Sequence, residues 1–327
     1  MVETRHGSTA GNWTRPLFTD LVREIRLQSA VTFWPEFRAP WGVSVERDWV
    51  MFHIVAQGSC WLQVKGTPEA LKLSEYDLVI VNRGQFHTLG DQVSTRVVNI
   101  DQIKAEANGR KGFCLPGNGA ATRMVCGAVH LENRNNNPIL SILPTVLSVK
   151  ADENGGRPWL RLTTQHILSE LENEGIGSQE VVNRLVDVLF YQAVRTYLEE
   201  NVDAAQSGWL GAVRDPQIGR ALALLHSRAR HQWTITSLAR EVAMSRSMFA
   251  SRFKELVGEP PQHYSTRVRI SAAAARLRST NDTLKTIGAA AGYKSLPAFV
   301  KSFKRHIGMT PGEYRLLGDR WPDGSAS

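Results

Sequence analysis

One motif occurs twice near the C-terminal end of the chain, about fifty residues apart. The first copy reads LAREVAMSRSMFASRFKELVGEPPQHY from Leu238, and the second reads IGAAAGYKSLPAFVKSFKRHIGMTPGEY from Ile287. The aromatic residues, glycines and prolines of the two copies align once a single extra residue is allowed in the second. In each copy, turn residues separate a short amphipathic stretch from a longer one. The repeat therefore predicts two small helical units of the same design.

Each copy has the signals of a helix-turn-helix. The predicted capping residues are Thr234 or Thr236, Ser245 and Ser295, and the predicted turns are Ala243–Met244 and Gly292–Tyr293. Phe249 and Phe253 are four residues apart, as are Phe299 and Phe303, so each pair shares one helix face. We expect these faces to pack inward and the polar faces to stay exposed. A helix-turn-helix lays its second helix in the DNA major groove.

The charge of the chain is unevenly distributed. From Asp215 to Arg320 there are 18 Lys and Arg against 7 Asp and Glu, a net +11, whereas the whole chain carries +8. The rest of the chain is therefore slightly acidic. A basic C-terminal third indicates a polyanionic partner such as nucleic acid. The alternative is a basic helical bundle whose repeat is purely structural.

The N-terminal part has a different pattern, of short apolar runs between turn residues. WVMFHIVA and CWLQVKG, joined by QGS, predict a β-hairpin, and YDLVIV, TRVVNI and RMVCGAVHLE predict further strands. Strands at this spacing are typical of a β-sandwich or barrel. NRNNNP predicts a loop at its end, and the polar N-terminal segment is partly helical at TDLVREIRLQ.

Two amphipathic helices follow, one from about residue 157 and the other over 178–200. The apolar stripe of the second helix includes Val182, Leu185 and Leu189. This stripe either covers the β-domain or joins two chains in a homodimer. NVDAAQSG then breaks the pattern and predicts a linker.

Composition limits the class of protein. A chain of 327 residues is long enough for two domains. It has no run of 18 uncharged apolar residues and no apolar stretch typical of a secretory signal near its start. Its three cysteines, Cys60, Cys114 and Cys126, are few and odd in number, which favours a reducing compartment. We therefore expect a cytoplasmic protein without a membrane span, bound to the nucleoid when it is on DNA.

These motifs resemble those of the AraC/XylS family of bacterial transcription regulators. Residues 215–318 resemble its DNA-binding domain, through LAREVAMSRSMFASRFKELVG and AAAGYKSLPAFVKSFKRHIGMTPGEYR. Residues 29–200 resemble its cupin-type regulatory domain, through FHIVAQGSCWLQVKG, YDLVIVNRGQFHTLGD and PILSILPTVLSV. The resemblance implies a two-domain α+β protein: an N-terminal cupin-like β-barrel with amphipathic helices, and an all-α domain with two helix-turn-helix units. Residues 201–214 would be the linker, and 1–28 and 319–327 the flanking segments.

The resemblance also implies which residues meet DNA. In the first unit, bases would be read from Ser247, Ala250 and Ser251, with help from Arg246 or Arg252. The corresponding places in the second unit hold Pro297, Ala298 and Lys301. Lys301 is the strong donor for a base edge, whereas Lys294, Lys304 and Arg305 would meet phosphates, which fix register rather than sequence. Each of these cations could alternatively lie on a solvated helix face.

A barrel mouth can hold a small ligand. The candidate lining residues are Trp41, Trp49, His53, Trp61, Phe86 and His87. His53, His87 and Cys60 could instead bind Zn²⁺ or Cu⁺ in a metal-responsive regulator. A redox switch is a further alternative, which needs a cysteine of lowered pKa.

The sequence therefore predicts an effector-responsive regulator of transcription. Its expected partners are double-stranded promoter DNA, a small-molecule effector, a second copy of the chain and RNA polymerase. We expect no cofactor. A cupin enzyme is the least favoured alternative, because the sequence offers neither a complete set of metal ligands nor a paired base and nucleophile.

Overall fold

The computed structural model describes residues 14–47, 49–82, 85–108, 110–132, 140, 143–152, 156–173, 175–201, 208–229 and 231–316. They form two compact units. The β-rich unit contains residues 27–131 and 143–197, and the helical unit contains the described residues of 1–26, 132–142 and 198–327. None of the described helices is both long and apolar enough to cross a membrane.

The strands of the β-rich unit form two sheets. Their bounds are β1 Arg26–Phe33, β2 Glu36–Arg38, β3 Gly42–Val45, β4 Val50–Gln57, β5 Ser59–Val64, β6 Leu71–Ser74, β7 Leu78–Val81, β8 His87–Gly90, β9 Val98–Asn99, β10 Cys114–Leu115, β11 Ala121–Glu132 and β12 Val146–Val149. The first sheet has the order β10-β2-β11-β4-β7-β12, and β1 also pairs with β11. The second has the order β6-β5-β8-β3-β9.

This topology corrects two details of the sequence prediction. The described strands form two separate sheets rather than one closed barrel. β4 and β5 are consecutive but belong to different sheets, so the predicted hairpin is wrong. Gly58 lies between them with a φ of +83°, and a Cβ there would come within 2.6 Å of the Ala121 carbonyl oxygen. The turn therefore carries the chain from one sheet to the other, and glycine is the residue that fits it.

The core of the β-rich unit lies between the two sheets. Met51 and Val55 of β4 contribute to it from one sheet, and Val43 and Leu62 contribute from the other. The opposite side of β4 is also buried, because a helix lies against this strand. β4 is thus covered on both faces, which explains why its sequence reads as a continuous apolar run instead of alternating.

The described helices of seven or more residues and the short last one have these bounds: α1 Thr14–Glu24, α2 Ile100–Glu106, α3 Pro158–Asn173, α4 Ser178–Asn201, α5 Gly208–Arg214, α6 Pro216–Ser227, α7 Ile235–Glu241, α8 Arg246–Val257, α9 Pro261–Ser279, α10 Leu284–Ala290, α11 Leu296–Ile307 and α12 Pro311–Leu316. α3 and α4 are the two amphipathic helices predicted after residue 157. α3 is the helix that covers β4.

The first helix of the chain ends earlier than the sequence pattern predicts, and a strand follows it. α1 packs on α6 in the helical unit and buries Leu17 and Leu21. The helical pattern was expected to continue through TDLVREIRLQ, but β1 already begins at Arg26. The backbone N–H groups of Ser29 and Val31 donate to side chains of α4, Asp187 at 3.0 Å and Asn183 at 3.4 Å. These distant partners favour a strand over the continued helix.

The predicted linker 201–214 is too long at its C-terminal end. Residues 208–214 form α5, in which Trp209, Leu210, Ala212 and Val213 are buried. Its apolar residues therefore belong to the helical unit. The middle of the predicted linker (202–207), the NRNNNP loop and the tail 319–327 lie outside the described residues.

Candidate functional site

The first helix-turn-helix unit consists of α7 and α8, and its helix ends are fixed locally. Thr234 and Ser237 form a reciprocal capping box at the start of α7, with both N–H···O distances 3.0 Å. The chain turns at Ala243, whose φ is +53°. Ser245 caps α8 by accepting from the Met248 N–H at 3.3 Å. α8 ends at Gly258, a left-handed residue with a φ of +87°.

The second unit, α10 and α11, repeats this design. Thr283 caps α10 by accepting from the Thr286 N–H at 3.1 Å. The turn contains Gly292 with a φ of +84°. Ser295 caps α11 by accepting from the Ala298 N–H at 3.4 Å. The helix ends at Gly308, with a φ of +91°.

Both units bury their aromatic pairs as predicted. Phe249, Phe253, Phe299 and Phe303 are all fully buried. The ring centroids are 5.6 Å apart within each pair. Each pair is completed by a tyrosine from the helix that follows: Tyr264 is 5.6 Å from Phe253, and Tyr314 is 5.5 Å from Phe303. The second helix of each unit is thereby held by one face, which leaves its other face outward.

Most of the predicted DNA-contact residues lie on the outward faces. The exposed ones are Arg246, Ser247, Ser251, Lys294, Pro297, Ala298, Lys301, Lys304 and Arg305. Ala250 is only half-exposed. The repeat explains this difference, because Ala250 is equivalent to Val300 of α11, which is also half-buried, and not to Ala298.

Arg252 differs from the other predicted contacts, since its guanidinium is already engaged. Its Nε donates to Asp215 Oδ2 at 2.9 Å, and its Nη2 lies 2.8 Å from the same oxygen. Asp215 also caps α6 through its other oxygen, which accepts from the N–H groups of Gln217 and Ile218. The expectation that Arg252 helps to read bases therefore needs correction: this geometry ties Arg252 to the start of α6.

Met248 is an outward residue that the sequence reasoning missed. It is 55% exposed on α8. With the fifty-residue offset between the aromatic pairs, Met248 is equivalent to Ala298, which was chosen as a contact in the second unit. A strict application of that offset to both helices would have found it.

The β-rich unit buries a pair of histidines between its sheets. His53 of β4 and His87 of β8 are both fully buried, with their Nε2 atoms 2.9 Å apart. His87 Nδ1 lies 3.0 Å from the Gln85 carbonyl oxygen, so this nitrogen is assigned as the donor and Nε2 of His87 as the acceptor. His53 Nε2–H then donates across the pair. His53 Nδ1 is left as a buried acceptor with no hydrogen-bond partner among the described residues.

Burial and positive neighbours keep this pair neutral. Burial lowers the pKa of His53 well below its usual value, and His87 and Lys104 lower it further. Burial also lowers the pKa of His87. Lys104 of α2 has its ammonium 4.1 Å from the centre of the Phe33 ring, and its pKa is lowered by burial and by Arg47. A neutral hydrogen-bonding pair is therefore set beside a partly buried cation.

The other candidate ligand residues are divided between the interior and the surface of the β-rich unit. Trp41 is buried and stacks on Phe37 with ring centroids 4.4 Å apart. Trp49 is partly buried, with its ring 5.6 Å from His130. Trp61 lies on the outer face of its strand, whose inward residues are Cys60, Leu62 and Val64. The predicted single pocket is thus wrong for Trp61.

Phe86 also lies at the surface. It borders an open groove of about 520 Å³ together with Gln63, Lys65 and Thr88. Thr88 and Gln63 are paired across β8 and β5. The groove is therefore on the outside of the second sheet, separate from the buried histidine pair.

The metal and redox alternatives depend on residues of the same interior. Within the described ranges, no three His, Cys, Asp or Glu side chains are grouped so that they could hold a metal ion. Cys60 and Cys126 are buried and form no disulfide, and burial raises the pKa of Cys60 to about 12 and also raises the pKa of Cys126. Such thiols are poor nucleophiles at neutral pH. Cys114 is free and exposed.

The predicted dimer residues do not share one exposed face. Val182 and Leu189 are almost completely buried within the β-rich unit, so they stabilise its core. Leu185 is half-exposed. The exposed apolar residues of α4 are Val181 and Val188, at 39% and 47%. Positions 181, 185 and 188 lie on one side of the helix, and the apolar face open to a partner is therefore rotated from the predicted one.

Comparison with known proteins accounts for both units. A cupin family model matches residues 17–199, and a helix-turn-helix domain model matches residues 238–316. An AraC-like transcription regulator of Streptomyces lividans is 34% identical over 266 residues, 81% of this chain and 86% of that protein. The regulator AlkR of Acinetobacter baylyi is 26% identical over 89% of this chain and 96% of its own length.

A solved structure is also similar to part of the chain. The DNA-binding domain of the global transcriptional factor AdpA, solved with a target DNA, is 28% identical, with a TM-score of 0.31. It covers 34% of this chain and 99% of that domain. The relatives are regulators rather than enzymes, and they match along most of the chain. The chain belongs to the family of AraC-like transcription regulators, with an N-terminal cupin domain and a C-terminal helix-turn-helix domain that binds DNA.

Proposed function

We propose that this regulator engages promoter DNA with both helix-turn-helix units at once, under the control of a small molecule bound by the β-rich unit. The observation that carries the proposal is the duplicated, outward-facing second helix. α8 and α11 have the same caps, the same buried aromatic pairs and the same glycine stops. α9, of 19 residues, joins them and spans about 28 Å at 1.5 Å per residue. This span is comparable with the roughly 34 Å of one DNA turn.

The full chain and a duplex selected from a random pool test this arrangement. Hydroxyl-radical footprinting should give two protected patches on one face of the DNA, about one helical turn apart. Affinity should fall steeply as salt rises, because basic side chains release counterions. Lys301→Ala should weaken protection in one patch only. Protection of a single patch would contradict engagement by both units.

The interior histidine pair supports effector binding. His53 Nδ1 is a buried acceptor without a partner in the described structure, and Lys104 lies nearby as a partly buried cation. Leaving the buried Nδ1 acceptor of His53 unpaired costs free energy, which a polar ligand group could recover. A ligand can shift DNA binding only by its differential affinity for the binding-competent state, typically about 1–3 kcal/mol or 5–150-fold.

A metabolite panel tests effector control in the full chain. An effector should change operator affinity by about 5–150-fold, and DNA should change effector affinity by the same factor. His87→Asn should remove this response, whereas Trp61→Phe, on the outer face, should keep it. Retention of the full response in His87→Asn would place the effector elsewhere.

Dimerisation through α4 completes the proposal. Val181, Leu185 and Val188 form the exposed apolar side of this helix. Leu185→Glu should give a folded monomer that has lost cooperativity on tandem sites, measured by sedimentation and by DNA titration. Leu316→Glu, which changes an exposed leucine of α12, is the matched control. A wild-type protein that is monomeric at micromolar concentration would contradict dimerisation through α4. The last part of the proposal concerns partner and location. The regulator would act in the cytoplasm, bound to the chromosome, and would contact RNA polymerase there.

A further inference from the structure

Met248 is an exposed apolar side chain on an otherwise polar helix face. It is 55% exposed, while Phe249 and Phe253 on the inner face of α8 are fully buried. Its N–H is held by Ser245 Oγ at 3.3 Å, so its backbone position in the first helical turn is fixed. Ser247 and Ser251 on the same outward side are short and polar. Met248 therefore contributes little to the core.

The position of Met248 on α8 is the reason why its exposure matters for DNA recognition. Single exposed apolar residues are common and need no explanation by themselves. In a helix-turn-helix, however, the N-terminal residues of the second helix are those that contact base edges. Met248 is in that turn. The equivalent residue of α11, Ala298, lacks all of its side chain beyond Cβ, so the two helices differ at this position.

The chemistry of a thioether selects one feature of the major groove. Methionine has no strong hydrogen-bonding group, and its flexible, polarisable side chain adapts to apolar surfaces. The apolar group that the base pairs display in the major groove is the C5 methyl of thymine. Ser247 and Ser251 are too short for bidentate contacts with guanine or adenine, so the outward side chain of α8 that could make such a contact is Arg246, at the start of the helix.

We propose that Met248 is a specificity-determining residue that reads a thymine methyl group in the half-site under α8. The first unit then selects an A·T pair by apolar contact, and the second unit selects its bases by hydrogen bonds from Lys301. This assignment rests on DNA binding by the first helix-turn-helix unit.

Removal of single methyl groups from the DNA tests the assignment. The full chain is used to select a duplex from a random pool, and each thymine of that duplex is then replaced singly by uracil. For the wild type, one replacement should weaken binding about fourfold, the equivalent of one buried methyl group. Met248→Ala should bind the unchanged duplex at least as weakly as the wild type binds the uracil-substituted duplex. Its own affinity should not change when that thymine is replaced by uracil.

Two further variants keep the test specific. Met248→Leu retains an apolar side chain and should keep the sensitivity to uracil. Leu316→Ala removes an 85% exposed leucine from α12 and should behave like the wild type. Selection of a duplex with no methyl-sensitive thymine, or full sensitivity in Met248→Ala, would overturn the assignment alone. Failure to select any duplex would overturn both the assignment and DNA recognition.

Discussion

The two helix-turn-helix units have the same scaffold and different outward surfaces. Ser245 and Ser295 cap the second helices, and Gly258 and Gly308 end them in the left-handed conformation. The aromatic pairs have the same spacing and the same ring separation of 5.6 Å. The residues that repeat are therefore mainly those that set helix ends and fill the small core, together with the exposed pair Lys254 and Lys304.

The residues that do not repeat face outward. Ser251 of α8 is replaced by Lys301 in α11, and Glu255 is replaced by Arg305, with all four exposed. Because the units are joined in one chain, the proposed engagement of DNA by both units needs no twofold symmetry. In the proposed complex, one duplicated scaffold would read two unlike half-sites, the first through Met248 and small polar side chains beside Arg246, and the second through Lys301 and its neighbouring cations.

The largest expected effect tests the shared scaffold. Phe253→Ala and Phe303→Ala should each destabilise their own unit by about 3–5 kcal/mol, because each removes a fully buried ring. Hydrogen exchange of the amides in α8 and α11 measures the two losses separately. Met248→Ala, at an exposed position, should change stability by less than about 0.5 kcal/mol. A loss below about 1 kcal/mol in either unit would show that the two cores are not equivalent.

The next effect tests the outward difference. Lys301→Ala should cost about 1–3 kcal/mol of binding free energy and relax base preference at one position. The matched change Ser251→Ala should cost less, since a neutral serine hydroxyl donates only one hydrogen bond, whereas a lysine ammonium is charged and has three donors. Lys304→Ala should weaken all sequences alike and lower the salt slope by about 1. Equal behaviour of the two lysine variants in competition titrations would contradict their division between base and phosphate.

Local signals explain why the scaffold could be predicted from the sequence. Ser245, Ser295, Gly258 and Gly308 act within one turn of their own helix, and the phenylalanine spacing is set by the helical period. Asp215 was likewise suited to cap α6 by its place before Pro216, and it does so. These features need no knowledge of the rest of the chain.

Partners that are distant in sequence explain what could not be predicted. β4 and β5 resemble a hairpin locally, but their pairing is decided by strands elsewhere in the two sheets. Val182 and Leu189 belong to an apolar stripe whose buried side is decided by packing partners that are distant in sequence.

The charge count shows the same limit. Arg252 is counted among the basic residues that would attract DNA, but Asp215, 37 positions away, holds it. Arg276 is likewise held by Asp282, with 2.7 Å between nitrogen and oxygen. The count of basic residues therefore overstates the cations that are free to meet phosphate, whereas the net charge already subtracts Asp215 and Asp282.

A smaller effect is expected at the turns, where the units differ by one side chain. Ala243 and Gly292 both have positive φ, at +53° and +84°. Gly292→Ala should destabilise the second unit by about 1–2 kcal/mol, the cost of a left-handed alanine. Its new Cβ would also lie 2.8 Å from Arg269 Nη1, which must move. Ala243→Gly should change stability by less than about 0.5 kcal/mol, because relief of this strain offsets the greater entropy of the unfolded glycine.

Chemical denaturation followed by hydrogen exchange in each unit measures this asymmetry. Ala289→Gly, inside α10, provides the reference for an ordinary helical position, where glycine costs about 0.5–1 kcal/mol. A loss in Ala243→Gly as large as in this reference would mean that Ala243 carries no strain in solution.

The smallest effect concerns Arg252, the cation of the first unit that is paired with Asp215. Asp215→Asn keeps an oxygen that can accept from Gln217 and Ile218, so α6 should stay capped. The amide nitrogen that replaces Oδ2 cannot accept from Arg252, whose guanidinium is then free to reach phosphate. The equivalent residue of α11, Ser302, carries no charge and lies 2.6 Å from the Tyr293 hydroxyl, so the second unit has no such reserve. The salt slope of DNA binding should therefore rise by up to about 1, with a similar gain for all sequences. The lost ion pair is partly exposed and should cost at most about 1 kcal/mol of stability.

Asp282→Asn removes the same charge beside Arg276 of α9 and serves as the control for a general charge effect. An unchanged salt slope in Asp215→Asn, or an equal rise in both variants, would mean that release from Asp215 does not let Arg252 contact phosphate. The two units would then already present all of their available cations to DNA.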